Sequence, residues 1–111
     1  VATGTGSGKR TSQGLTIGTG VTKADARSSL QRVIDSNRLS ALAAIRNGNA
    51  HGIWHAFNDS PLHVVFIEAL AGWMHPDRFD ERMAGKTLDE VNRRFLTVPL
   101  DGTYLVDLKK P

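Results

Sequence analysis

The order of patterns along the chain predicts an α+β fold, with N-terminal helices packed on a small antiparallel sheet and a C-terminal β-hairpin. Three observations predict it. Apolar residues recur at helical spacing between residues 23 and 46. The turn pair Asp101-Gly102 separates two alternating stretches near the C-terminus. A chain of 111 residues has the size of one domain with one core.

Residues 1–20, VATGTGSGKRTSQGLTIGTG, are rich in Gly, Ser and Thr and lack a helical period. They read as a flexible leader, with residues 21–111 as a single compact domain. Within the leader, residues 13–18 have the composition of a short strand. Thr22 then reads as an N-cap, with Asp25 three residues on as a near capping box. Ala26, Leu30, Val33 and Ile34 follow on one face, giving a helix over 23–35. A second helix is expected over 38–46, carrying Leu39, Leu42 and Ile45 and closed by Asn47-Gly48.

Residues 49–60 and 62–73 fit either strand or helix. Ile53 to Phe57 alternates crudely, and Asn58-Asp59-Ser60-Pro61 signals a turn. Val64 to Ile67 favours a strand, Glu68 to Ala71 a helix, and Pro61 suits a helix start. Pro76 opens a short helix over 76–84 that ends at Gly85. Thr87-Leu88-Asp89-Glu90 opens another over 88–95. Residues 95–100 alternate, turn at Asp101-Gly102 and pair back through 104–108. Trp54, Phe57, Phe66, Trp73, Phe79 and Phe95 are expected in the core.

Composition narrows the chemistry. With no cysteine there is no disulfide scaffold, thiol nucleophile or thiolate metal site. No window approaches the roughly 18 apolar residues of a membrane-spanning helix, and no signal peptide is visible at the start. Fourteen basic residues face eleven acidic ones, for a formal charge of +3. Without Lys9 and Arg10 in the leader the balance is nearly even, so a basic surface has to come from clusters. The candidates are Arg93-Arg94 and Lys109-Lys110, with Arg78, Arg82 and Lys86.

Gly6-Ser7-Gly8-Lys9-Arg10-Thr11 has the flavour of a phosphate loop. The pattern fails because Thr3 stands where its first glycine belongs and Arg10 where its hydroxyl belongs. The acidic residues Asp77, Asp80, Glu81, Asp89 and Glu90 are explained as helix starts, where carboxylates favour the macrodipole. Four histidines lie between residues 51 and 75. His51 and His55 would share a helical face for a metal, but Asn49 and Gly52 argue against a helix there, and no metal is assigned.

The histidines fit acid–base chemistry better, because imidazole exchanges protons near neutral pH without tuning. RNA cleavage without metal or cofactor needs one group to deprotonate the ribose 2′-hydroxyl and another to protonate the leaving 5′-oxygen. A cation steadies the phosphorane between them. His55, His51 and His63 are the candidate catalytic groups, with Tyr104 in support. Arg94, Arg93 and Lys86 are candidate phosphate contacts, and Trp54 a stacking surface for a base. The alternative from the same residues is a nucleic-acid- or protein-binding module in which the histidines catalyse nothing.

The loose leader, a compact body of about ninety residues, the absence of cysteine and the closing hairpin at Tyr104–Leu108 together resemble a known group. It is that of the C-terminal tRNase-type toxin domains of bacterial polymorphic and contact-dependent growth-inhibition toxins. The resemblance lies in organisation along the whole chain. It implies a metal-independent ribonuclease acting on tRNA and a cognate immunity protein over its cleft. It also implies secretion or cell-surface delivery, with action in the target-cell cytoplasm.

Overall fold

A computed structural model describes residues 2–4, 14–57 and 59–108. The Gly6–Thr11 stretch, Asn58 and the Lys109-Lys110 pair lie outside them. The α+β class is as expected: the described residues form four α-helices and two small sheets. They divide into two compact units, where the sequence suggested a single domain. Unit 1 joins residues 1–55 to 101–111, and unit 2 is 56–100.

Unit 1 is organised by helix α1, Lys23–Ser36. Thr22 caps it as its position suggests, its Oγ1 accepting the Asp25 N–H at 3.1 Å. Ala26, Leu30 and Ile34 form its buried stripe. They meet Leu15, Ile17, Val21, Ala50 and Val106 in one core cluster. The end of the proposed leader is therefore core. Leu15 and Ile17 are both buried, and α1 fixes them through Ser29. The Ser29 hydroxyl accepts the Thr16 N–H at 2.9 Å and lies 2.8 Å from the Ala26 carbonyl, to which it donates. An apolar, N–H-satisfied segment cannot remain a solvated linker, and Gly/Ser/Thr composition masked these two residues.

The second helix is broken. A 3₁₀ turn spans Leu39–Ala41, Leu42 is extended, and helix α2 covers only Ala43–Arg46. Arg38 sits in the left-handed region with φ of 56°, between α1 and the 3₁₀ turn. Gly48, also left-handed at φ of 78°, ends α2 as read from Asn47-Gly48.

Strand β1 (Ala2–Gly4) runs parallel to β3 (His51–Trp54), and β5 (Leu105–Asp107) pairs with β3 antiparallel, giving the order β1-β3-β5. A second ladder joins β2 (Gly18–Thr19) to β4 (Gly102–Thr103). The C-terminal strands thus exist, but their ladder partners are β3 and β2 and not residues 95–100. Gly102 permits this closure. At its φ of 158° a side chain would be strained, and its Cβ would collide with the Gly18 carbonyl oxygen.

Unit 2 settles the two ambiguous runs and revises two helices. After β3 the chain takes a 3₁₀ turn at His55–Phe57, and Phe57 is fully buried as expected. Residues 63–74 form helix α3, His63–Met74, so the β-branched run at 64–67 is helical. The Ser60 hydroxyl, accepting the Leu62 N–H at 3.2 Å, leads the chain into it. Val65, Ala69 and Gly72 make its buried stripe at i, i+4, i+7. The expected helices 76–84 and 88–95 are replaced by a single helix α4, Met83–Arg94. Gly85 lies inside it. The start is set by Asp80, whose carboxylate accepts the Arg82 N–H at 2.9 Å while its carbonyl accepts from Met83. The Thr87 capping-box pattern is a sequence coincidence within that helix.

Ala84 and Leu88 face α3, and the segment entering α4 passes so close to Gly72 that a Cβ there would lie 3.1 Å from Glu81 Cα. The Asn92 side chain ties down the return loop, giving its Nδ2–H to the Leu100 carbonyl (3.1 Å) and taking the Leu100 N–H (2.9 Å). Phe79 and Phe95 are exposed, the latter at 71%, against the expectation that both pack in the core. Among the described residues no helix is long and apolar enough to cross a membrane.

Candidate functional site

Strand β3 carries three of the singled-out side chains on or beside it. Because it is a strand, the i, i+4 spacing of His51 and His55 has no helical meaning: His51 opens the strand, and His55 follows its end in the 3₁₀ turn. Gly52 is required between His51 and Ile53. A Cβ there would lie 2.8 Å from Leu15 Cδ2 and 2.9 Å from Val106 Cγ1.

The ladder sets what faces His51. Trp54 N–H donates to the Tyr104 carbonyl and Leu108 N–H to the Ala50 carbonyl, both at 3.0 Å. Those are the hydrogen-bonded pairs, so His51↔Asp107 is a non-hydrogen-bonded pair, the kind whose side chains stand closest. Residues so paired have Cβ atoms about 4.5–5.5 Å apart on one face of the sheet. A carboxylate at that spacing is within reach of an imidazole N–H and can fix its tautomer. His51 is only 4% exposed, whereas His55 is exposed.

Trp54 and Tyr104 meet edge-to-face, with ring centroids 5.0 Å apart at 72°. The indole lies over Gly18, where an added Cβ would come within 3.0 Å of Nε1. The Tyr104 hydroxyl shares a 2.7 Å hydrogen bond with Thr19 Oγ1. Tyr104 is therefore buried and engaged, a structural clasp of the two sheets' ends.

The remaining candidates belong to unit 2. His63 opens α3, exposed, its ring stacked on Phe66 at 5.9 Å and 6°. Arg93 and Arg94 both bond Glu90, the latter at 3.0 Å, and Arg94 also lies 5.6 Å from the Phe95 ring centroid. Lys86 Nζ lies 3.3 Å from Asp80. The carboxylates register these cations. Hydrogen bonds from Arg93 and then Arg94 hold Glu90 below the usual carboxylate range. The Arg82 backbone N–H, then its side chain, draws Asp80 from 3.8 down to about 2. The three cations chosen from sequence are thus already engaged with acidic neighbours.

Charge follows the fold rather than the chain order. Unit 1 holds nine basic and four acidic residues, a formal +5; unit 2 holds five and seven, a formal −2. Four of the nine basic residues of unit 1, Lys9, Arg10, Lys109 and Lys110, lie outside the described residues, and the described ones there balance to +1. Sequence reasoning passed over Asp107, since its significance depends on the β3–β5 register. It also passed over the cleft of about 220 Å³ in unit 1, walled by residues such as Leu30, Ile34, Leu39 and Ile45, with Asn49 and His51 as its polar members. Among the described residues no group of three or more His, Asp or Glu is arranged to hold a metal ion. Neither family models nor curated proteins match the chain.

Proposed function

We propose that this chain is a metal-independent ribonuclease effector domain, acting on tRNA in the manner of the toxin domains it resembles, with its chemistry on unit 1. The observation that carries this reading is the pairing of His51 with Asp107 across the ladder, with a second, exposed imidazole at His55 where the same strand ends. In the reaction His51, oriented by Asp107, takes the proton of a ribose 2′-hydroxyl. The oxygen attacks the adjacent phosphorus, and the bond to the 5′-oxygen breaks as His55 returns a proton to it. The products are a 2′,3′-cyclic phosphate and a 5′-hydroxyl. The formal +5 of the segments that make up unit 1, four of whose basic residues lie outside the described ones, supports a polyanionic substrate. An immunity protein over the cleft and delivery into the target-cell cytoplasm belong to the same proposal.

The burial of His51 at 4% favours a second reading, a nucleic-acid-binding module without catalysis. One gel separates the two. Total RNA incubated with the protein in EDTA yields discrete tRNA fragments under the first reading, lost in His55→Ala and diminished in Asp107→Asn. Intact RNA that only shifts in mobility establishes the second and overturns the first.

A further inference from the structure

Apart from His51, the residues lining the cleft in unit 1 have no part in the catalytic reading. Its walls come from α1, the 3₁₀ turn, α2 and the approach to β3, and nearly all are apolar. Its two polar lining residues are Asn49 and His51. Leu42, 53% exposed, marks an open mouth. Exposed Arg46 lies four residues beyond Leu42, hence one helical turn away, and exposed Arg38 directly precedes the lining residue Leu39. From Ser36 to Phe57 the chain has these two arginines and no carboxylate at all.

We propose that this cleft seats a nucleobase, with the attached phosphate met by Arg38 and Arg46. As the seat for an unstacked base of the RNA substrate, it rests on the ribonuclease reading above. Size supports it: an apolar cavity of about 150 Å³ holds benzene, and about 220 Å³ suits a two-ring heteroaromatic. A base has two apolar faces and one hydrogen-bonding edge, which matches a mostly apolar lining with two polar residues in it. The Asn49 amide offers a donor and an acceptor in one plane, as edge recognition requires. A purely apolar ligand would leave the Asn49 amide and both arginines without a role. Arg38 adds a further sign, because it occupies a left-handed conformation that costs a side chain free energy, and such strain gathers at functional positions.

The test is calorimetric titration of the full chain with each of the four nucleoside monophosphates, the corresponding nucleosides, inorganic phosphate and indole. Monophosphates are expected to bind more tightly than nucleosides. Filling the cleft with Ala44→Phe, at an exposed position that tolerates bulk, should weaken monophosphates at least tenfold. Arg38→Asn keeps the left-handed turn and should weaken monophosphates several-fold while leaving nucleosides unchanged. Asn49→Ala should level the preference among bases. Equal binding of monophosphates to the wild type and Ala44→Phe, no binding, or indole binding as tightly as any nucleotide overturns the proposal. Cleavage of RNA without monophosphate binding removes the seat and leaves the ribonuclease standing. Binding without cleavage does the reverse.

Discussion

Units 1 and 2 are closed by different means. Unit 1 is held by contacts between distant parts of the chain: the Tyr104–Thr19 hydrogen bond spans 85 residues, and β5 reaches back to β3. Unit 2 is held locally, by two successive helices and an Asn92 clamp to a residue eight positions on. The first arrangement forms only when both chain ends are in place, whereas the second closes short loops at small entropic cost. Their charges are opposite in sign as well. The region carrying the candidate chemistry is thus the one closed by segments far apart in the chain.

Deep truncation in unit 1 should break this contrast most strongly. Ile17→Ala opens a cavity at a fully buried position and should cost about 2–5 kcal/mol. Amide exchange should then accelerate in β2, β3 and β5 and stay unchanged in α3 and α4; uniform acceleration would show that the units unfold as one. Ser29→Ala leaves the part-buried Thr16 N–H without its partner and should cost about 1–3 kcal/mol by chemical denaturation, again with unit 1 first to exchange.

The corresponding clamp in unit 2 is smaller in effect. Asn92→Ala removes two partly buried hydrogen bonds, each worth about 0.5–1.5 kcal/mol, and should loosen residues 96–100 without moving the midpoint of unit 1. Arg38→Asn should act in the opposite direction. It relieves a left-handed arginine and should stabilise unit 1 by about 0.5–1 kcal/mol. A loss of stability instead would mean that Arg38 makes contacts outweighing its strain.

The smallest expected effect is one of acidity. Asp80 is drawn from 3.8 to about 2, so its contribution is complete above pH 4 and fades as pH falls toward 2. The start of α4 should therefore fray below pH 4 before α1 does, as chemical shifts would report. Asp80→Asn should abolish that difference between the helices.

What could be read in the sequence was local. Thr22, the α1 stripe and the Gly48 stop are each decided by residues within one turn, and each stands in the structure. What could not be read was decided at a distance. Leu15 and Ile17 looked like linker until α1 covered them, and the strand partners of 102–107 proved to be residues long before them in the chain. In unit 2, Gly85 and Thr87 carry strong punctuation signals that α4 overrides, because Asp80 already supplies its start. The histidines were visible as types. That His51 would pair with Asp107 depends on register alone.

The path of the chain through unit 1 has one more implication. Trp54 and Tyr104 are ladder neighbours, so everything between His55 and Asp101 leaves and re-enters at the mouth of a single antiparallel pair. Topologically, residues 56–100 are an oversized hairpin connection, a cassette whose exchange for a brief turn would sever no ladder bond. The length of that connection is therefore independent of the β3–β5 register.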